Sequence, residues 1–138
     1  MIVRRLNELK GSERCVSDTN WTSHRLLLES DGMGFSFHDT TLHAGTATKM
    51  WYRNHVEAVY CVEGEGEIHD LETDVVHPIA PGTMYALDAN DRHVLKAHTQ
   101  LRMICVFNPA LHGPETHDAD GAYPLLAAAA PSSGEGAQ

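Results

Sequence analysis

Tyr52-Arg53-Asn54-His55-Val56-Glu57-Ala58-Val59-Tyr60-Cys61-Val62-Glu63-Gly64-Glu65-Gly66 is the segment around which the chain is organised. Five β-formers, Val56, Val59, Tyr60, Cys61 and Val62, surround one acid, Glu57, and a Glu-Gly-Glu-Gly turn closes the run. A period of two sets Glu57, Val59 and Cys61 on one face and Val56, Ala58, Tyr60 and Val62 on the other. Apolar side chains on both faces predict a central strand and not an edge. A carboxylate on such a strand is costly to bury without a proton, a partner or a metal. The bland alternative is that Glu57 sits at the strand's start and reaches solvent.

Outward from this stretch, short runs of β-formers alternate with turn residues. Upstream, Met1–Val3 reads as a short strand, Arg5–Lys10 as one helical turn ended by Gly11, and Asp18–Ser23 as a loop. Arg25–Glu29 is short enough to favour strand over helix. Asp31-Gly32 marks a turn, and Gly34–Leu42 and Thr46–Tyr52 read as strands. Downstream, Glu63–Glu67 is expected to be a hairpin connection. Glu67–Leu71 and Asp74–Ile79 follow, then a Pro81-Gly82 turn, then Thr83–Leu87. His93–Ala97 and Leu101–Phe107 are the last strands, with Leu101, Met103, Cys105 and Phe107 on one face. No segment sustains a helical period, so the fold class is all-β, a barrel or sandwich. Residues 112–126 are polar and irregular, and Ala127–Gln138, rich in Ala, Ser and Gly, is expected to be a disordered tail.

The 138 residues fit one domain. A net charge of −9 argues against a nucleic-acid surface. No apolar run approaches a membrane span of roughly 20 residues, and the start of the chain lacks the apolar core of a signal peptide. Three cysteines, Cys15, Cys61 and Cys105, without paired spacing, argue for free thiols and a reducing compartment. Ten histidines are present. His24, His38, His43, His69, His77, His98 and His112 show no ligand spacing, so a solvated or locally bonded ring is expected for each.

Two resemblances carry function. Glu57 and Gly64, separated by six residues, match the second half of the first cupin motif, and Pro81-Gly82 lies eleven residues before His93, as in many cupins. The usual histidine pair is missing. Trp51 and Arg53, or Met50 and Tyr52, stand in its place, and Asp88, Asn90 and Ala97 replace motif-two residues, so the standard cupin metal set cannot be assembled. A closer resemblance, over residues 1–126, is to ectoine synthases. It rests on Met-Ile-Val-Arg at the start, Trp21 to Arg25, Gly34-Phe35-Ser36 leading to Thr40, and Tyr52 to Tyr60. It continues through Gly82 to Leu87 and Asn108-Pro109-Ala110-Leu111-His112-Gly113-Pro114-Glu115-x-His117.

That resemblance implies a cupin barrel with a short N-terminal helix, a cytoplasmic homodimer, and a small-molecule substrate, N-γ-acetyl-L-2,4-diaminobutyrate, cyclised with loss of water. It also implies a divalent iron held by Glu57, Tyr85 and His93, with zinc or manganese as substitutes. A mixed set of carboxylate, phenolate and imidazole suits such a metal, which can act as a Lewis acid on an amide carbonyl. Tyr52, His55, Glu115 and His117 are the available acid–base groups. Glu115 and His117 sit on a segment placed to fold over the barrel mouth as a lid. Arg25 is the cation for the substrate carboxylate, Trp21 a wall, and Thr40, Cys105 and Phe107 the rest of the pocket. Without the resemblance, Tyr85 reads as a barrel aromatic, His93 as a rim histidine, and Glu115 and His117 as part of a solvated tail. Two other classes stay open: a different metal cupin, such as an isomerase or dioxygenase, marked by O₂ consumption, and a non-catalytic cupin binding module.

Overall fold

A computed structural model describes residues 1–126; the tail read over Ala127–Gln138 lies outside them. Ten strands form two antiparallel sheets that face each other. The larger has the order β1 (Cys15–Ser17), β2 (Trp21–Leu27), β3 (Ser36–Leu42), β10 (Leu101–Asn108), β5 (Val56–Glu63), β8 (Met84–Leu87). The smaller has the order β4 (Ala47–Met50), β9 (His93–Ala97), β6 (Gly66–Asp70), β7 (Val75–Ile79). One turn of helix, α1 (Leu6–Leu9), precedes them and buries Leu9. The all-β expectation and the short N-terminal helix both hold.

The period of two is what builds the interior. In β10, Leu101, Met103, Cys105 and Phe107 are buried while their neighbours are not. In β5, Glu57, Val59 and Cys61 point inward. They meet Ile68, Ile79, Leu95 and Ala97 of the smaller sheet in one core. A core that combines side chains from both sheets gives strands of a few residues a face to bury.

Four expectations change. Met1–Val3 is exposed and outside any strand. Asp18–Ser23 is not all loop, because β2 begins at Trp21, with Trp21 and Ser23 buried. Their alternation with Arg25 continues a period that Asp18, Thr19 and Asn20 obscure. β5 is central, between β10 and β8, but only one of its faces is covered: Val56 and Tyr60 are exposed. Finally, Glu63–Glu67 is no hairpin. β5 and β6 belong to different sheets, and the chain crosses between them there. The crossing explains the glycines. A Cβ on Gly64, at φ +93°, would lie 2.1 Å from the Gln100 carbonyl oxygen, and one on Gly66 would lie 2.1 Å from that of Lys96.

The N-terminal segment is tied down by charge. Asp31 accepts from Arg4 at 2.8 Å, from Arg14 at 3.1 Å and from the Leu28 N–H at 2.9 Å. Burial raises its carboxyl pKa, but these donors outweigh it and hold the group at about 2, against an ordinary 3.8. A depressed folded-state pKa stabilises the fold above the unfolded value and loses that contribution as pH falls. We therefore expect Asp31→Asn to lower the denaturation midpoint at neutral pH. The gap from wild type should close between about pH 4 and about pH 2. A gap that is unchanged at low pH would show that the carboxylate's charge is not what stabilises the segment.

Candidate active site

The inner faces converge on a cavity between the sheets. β5 contributes Glu57 and Val59, β8 contributes Tyr85, and β10 contributes Met103, Cys105 and Phe107. Thr40 comes from β3 and Trp21 from β2, while Tyr52, His117 and Tyr123 enter from irregular chain. Eight residues read as site residues from the sequence therefore line one cavity: Trp21, Thr40, Tyr52, Glu57, Tyr85, Cys105, Phe107 and His117.

Glu57 is buried with no cation beside it. Burial pushes its carboxyl up to about 8, opposed by a hydrogen bond from the Cys105 thiol. The bland alternative of a solvated acid therefore fails. Across β5 and β8, Val59 pairs with Tyr85 and Glu57 with Leu87. Glu57 and Tyr85 are thus diagonal neighbours on the inner surface, about 7–8 Å apart at Cα. Burial, then Glu57, raises the Tyr85 phenol well above its usual range.

His93 lies in the other sheet, paired with Met50 and Asp70, and is fully buried. Its Nδ1–H is 2.9 Å from the Asp91 carbonyl oxygen, the partner that N–H donates to. Nε2 is then the lone-pair nitrogen, and it is buried with no partner. Burial keeps the ring neutral against the opposing pull of Asp91. A neutral imidazole with its tautomer set by a backbone carbonyl is what a metal ligand requires. Among the described residues, no three His, Cys, Asp or Glu side chains are placed to hold a metal. A buried acid without a counter-charge and an unpartnered imidazole nitrogen fit a divalent cation on chemical grounds.

An aromatic wall faces these groups. The Tyr52 hydroxyl is 2.8 Å from His117 Nε2, and Tyr52 stacks on Tyr123 at 5.2 Å and 15°. Burial above all lowers the His117 pKa to about 4, with Asp18 opposing and Arg25 and His93 adding to the shift. Burial likewise raises the Tyr52 phenol. At neutral pH the pair is uncharged phenol against uncharged imidazole.

Arg25, His55, His93 and Glu115 do not line this cavity. Arg25 is fully buried, donates through Nη1 to the Gly113 carbonyl at 2.7 Å, and packs over the rings of Trp21 and Tyr123. His55 is buried against the edges of Phe107 and Tyr123. Both Glu115 oxygens are occupied by backbone N–H groups, of His112 and of Gly113, each at 2.7 Å. The segment after β10 is no solvated tail: Leu111 is fully buried, its N–H donates to Ser36 Oγ, and its carbonyl accepts from the Glu29 N–H.

Three contributors escaped the sequence reading. Tyr123 is a wall of the cavity, but nothing in a Gly-Ala-Tyr-Pro context marks it. Ser23 bonds Arg25, Thr40 and His38 at once; only the alternation from Trp21 could have pointed to it. Asn90, at φ +55°, donates its amide to the carbonyls of both Tyr52 and His55 and so fixes the loop carrying them.

The clasp at Glu115 generates a prediction. In Glu115→Gln one amide N–H₂ would face a backbone N–H, leaving a buried donor unpaired. The loss should be about 1–3 kcal/mol in urea denaturation. An unchanged midpoint would show that the carboxylate does not hold this loop.

Comparison with known proteins gives a consistent result. The family model described as ectoine synthase matches residues 1–127. An L-ectoine synthase of Desulfosudis oleivorans is 57% identical over 127 residues, covering 91% of this chain and 98% of that protein. One from Oceanobacillus iheyensis is 54% identical over 127 residues, 92% of this chain and 99% of that protein. The crystal structure of ectoine synthase from P. lautus superposes with a TM-score of 0.83 at 55% identity, covering 94% of this chain and 93% of that one. A cupin domain of an XRE-family transcriptional regulator from Enterobacter cloacae shares the fold, with a TM-score of 0.55 at 12% identity over 65% of this chain and 97% of that one.

Proposed function

The chain belongs to the ectoine synthase family, and from that premise we propose that it closes N-γ-acetyl-L-2,4-diaminobutyrate into ectoine in an iron-dependent cyclisation, as a carbon–oxygen hydro-lyase. The observation that carries the metal part is Glu57. It is a buried acid without a counter-charge, on the same cavity wall as Tyr85, and His93 Nε2 is unpartnered. Glu57, Tyr85 and His93 would hold the ion, with zinc or manganese as substitutes. When bound, a divalent iron supplies a Lewis acid for the acetamide carbonyl, an otherwise poor electrophile.

The remaining chemistry is proton transfer. The α-ammonium loses one proton to become a nucleophile. Its nitrogen bonds to the acetamide carbon, and the carbonyl oxygen leaves as water. The attacking nitrogen sheds two protons in all and the departing oxygen gains two, so none is needed from solvent. An uncharged phenol–imidazole pair suits this traffic. His117 accepts a proton while Tyr52 returns one. With Tyr52 buried and His117 half-buried, the pair is largely shielded from the bulk water that would compete, which favours dehydration. Trp21, Thr40, Cys105 and Phe107 would shape the pocket around the substrate, and Arg25 would neutralise its α-carboxylate. His55 and Glu115 would support the pocket from behind.

A homodimer is part of the same reading. Val56, Tyr60 and Met84 leave an apolar outer face on β5 and β8, each more than 40% exposed, and such a face suits a second copy of this chain. The free thiols at Cys15, Cys61 and Cys105 support a cytoplasmic location as part of this reading.

Purified full-length protein loaded with iron should convert the acetylated diaminobutyrate to the cyclic product, and chelation should abolish turnover. Glu57→Ala, Tyr85→Phe and His93→Ala should each lower bound iron with β-rich circular dichroism retained. Full iron occupancy in Tyr85→Phe would remove the phenolate from the ligand set, and an inert substrate would remove the reaction.

A further inference from the structure

Trp51 and Arg53 have no part in the chemistry above. They and their neighbours Met50 and Tyr52 stand where a cupin's histidine pair would. Met50 and Tyr52 are buried and line the cavity. Trp51 and Arg53 alternate with them and turn outward, with Arg53 exposed. One pair thus carries the site's Tyr52, and the other is left for a different task.

That task is legible in what Trp51, Arg53 and Asn54 touch, because all three reach the turn between His117 and Tyr123. The Trp51 N–H donates to the Gly121 carbonyl at 3.0 Å, and the Asn54 amide donates to the Tyr123 carbonyl at 3.0 Å. Arg53 spans the rest of the turn. Its Nη1 is 3.0 Å from Asp120 Oδ2, and its Nη2 is 3.6 Å from Asp118 Oδ2. The guanidinium packs over the Trp51 ring at 5.0 Å, and the Trp51 indole N–H donates to the Asn90 carbonyl, so the cation has a fixed platform. The other Asp118 oxygen accepts the N–H groups of Asp120 and Ala122 and stiffens the turn itself. The turn sits against β4: a Cβ on Gly121 would lie 2.3 Å from the Lys49 carbonyl oxygen.

These contacts pair neighbours with neighbours. Inside, Tyr52 meets His117 at 2.8 Å. Outside, Arg53 meets Asp118, each one residue further along its segment. Among the described residues the His117 backbone bonds no other backbone group, so the outer pair is the nearest anchor of the imidazole. An exposed ion pair adds little to the stability of a fold. A small displacement of a catalytic group is costly to rate all the same.

We propose that Arg53 is a positioning residue for the cyclisation, whose ion pairs with Asp118 and Asp120 hold His117 at the Tyr52 hydroxyl. The inference rests on the reading of Tyr52 and His117 as the pair that moves protons in that reaction.

Full-length, iron-loaded Arg53→Gln should lose about tenfold in kcat, with KM within about threefold of wild type. Iron content and melting temperature should match wild type, and amide hydrogen exchange should quicken at residues 117–123 alone. Arg53→Lys keeps the charge but meets one carboxylate at a time, and should restore kcat to within about threefold of wild type. Asp118→Asn combined with Asp120→Asn removes both charges and keeps the oxygen that caps the turn. This double variant should repeat the Arg53→Gln loss, and all three substitutions together should cost no more than either set alone. Arg92→Gln is the control: Arg92 packs over the same indole but pairs with Glu72, and its loss should leave kcat unchanged.

Wild-type kcat in Arg53→Gln overturns the proposal. So does a loss that the two asparagines fail to reproduce, or one that Arg92→Gln shares, because the indole platform and not the ion pair would then carry it. Faster exchange throughout the barrel would mark a role in the fold alone and overturn it too. If wild type leaves the acetylated diaminobutyrate unchanged, the reading of the reaction fails, and exchange in Arg53→Gln still decides the clamp: faster exchange at residues 117–123 keeps it, and unchanged exchange there ends it.

Discussion

A carboxylate on the inner face of a β-barrel, with no cation to balance it, is the constraint on which the site depends. Glu57 cannot retreat to solvent, because the strand that carries it lies between two others and turns that face inward. Burial alone would leave it protonated near neutral pH. Its surroundings do little to ionise it: a thiol, a phenol and apolar side chains line the same wall. The histidine across the barrel holds its spare nitrogen free, with its other nitrogen committed to a backbone carbonyl. The proposed divalent cation would answer these imbalances together, although among the described residues no three histidines, cysteines or carboxylates are placed to hold one.

Much of the frame was legible in the chain because a β-strand's burial has the shortest period there is. Leu101, Met103, Cys105 and Phe107 read as one face and are one face. Pro81-Gly82 reads as a turn and is one, with Gly82 at positive φ and the Thr83 N–H bonded to the Ala80 carbonyl. What failed depended on long-range contact. Glu63–Glu67 has the composition of a hairpin, and only the approach of the Gln100 and Lys96 carbonyls shows why glycine is required for a crossing between sheets. The polar residues before Trp21 masked the start of β2, which hid Ser23. The exposed outer face of β5 could not be told from a buried one, since apolar composition is the same whether the chain or a second copy supplies the cover.

The segment after β10 makes the same point for the site. Its polar composition resembled a solvated tail or a lid over a finished barrel. In the fold it is part of the barrel: Leu111 completes the core, Tyr123 walls the cavity, His117 meets Tyr52, and Glu115 clasps the backbone that receives Arg25. A carboxylate that bonds backbone and one that binds substrate have the same sequence. Only the positions of His112 and Gly113 separate the two, and these depend on contacts 75 to 88 residues away in the chain.

In the proposed site the phenol beside Glu57 would be a metal ligand. Visible absorption of the iron-loaded protein after oxidation to the ferric state tests this most directly, because a ferric phenolate has a charge-transfer band that carboxylate and imidazole ligands lack. A band present in wild type, kept in Tyr52→Phe and lost in Tyr85→Phe is expected. A band that survives in Tyr85→Phe, or that is absent from fully iron-loaded wild type, would contradict it.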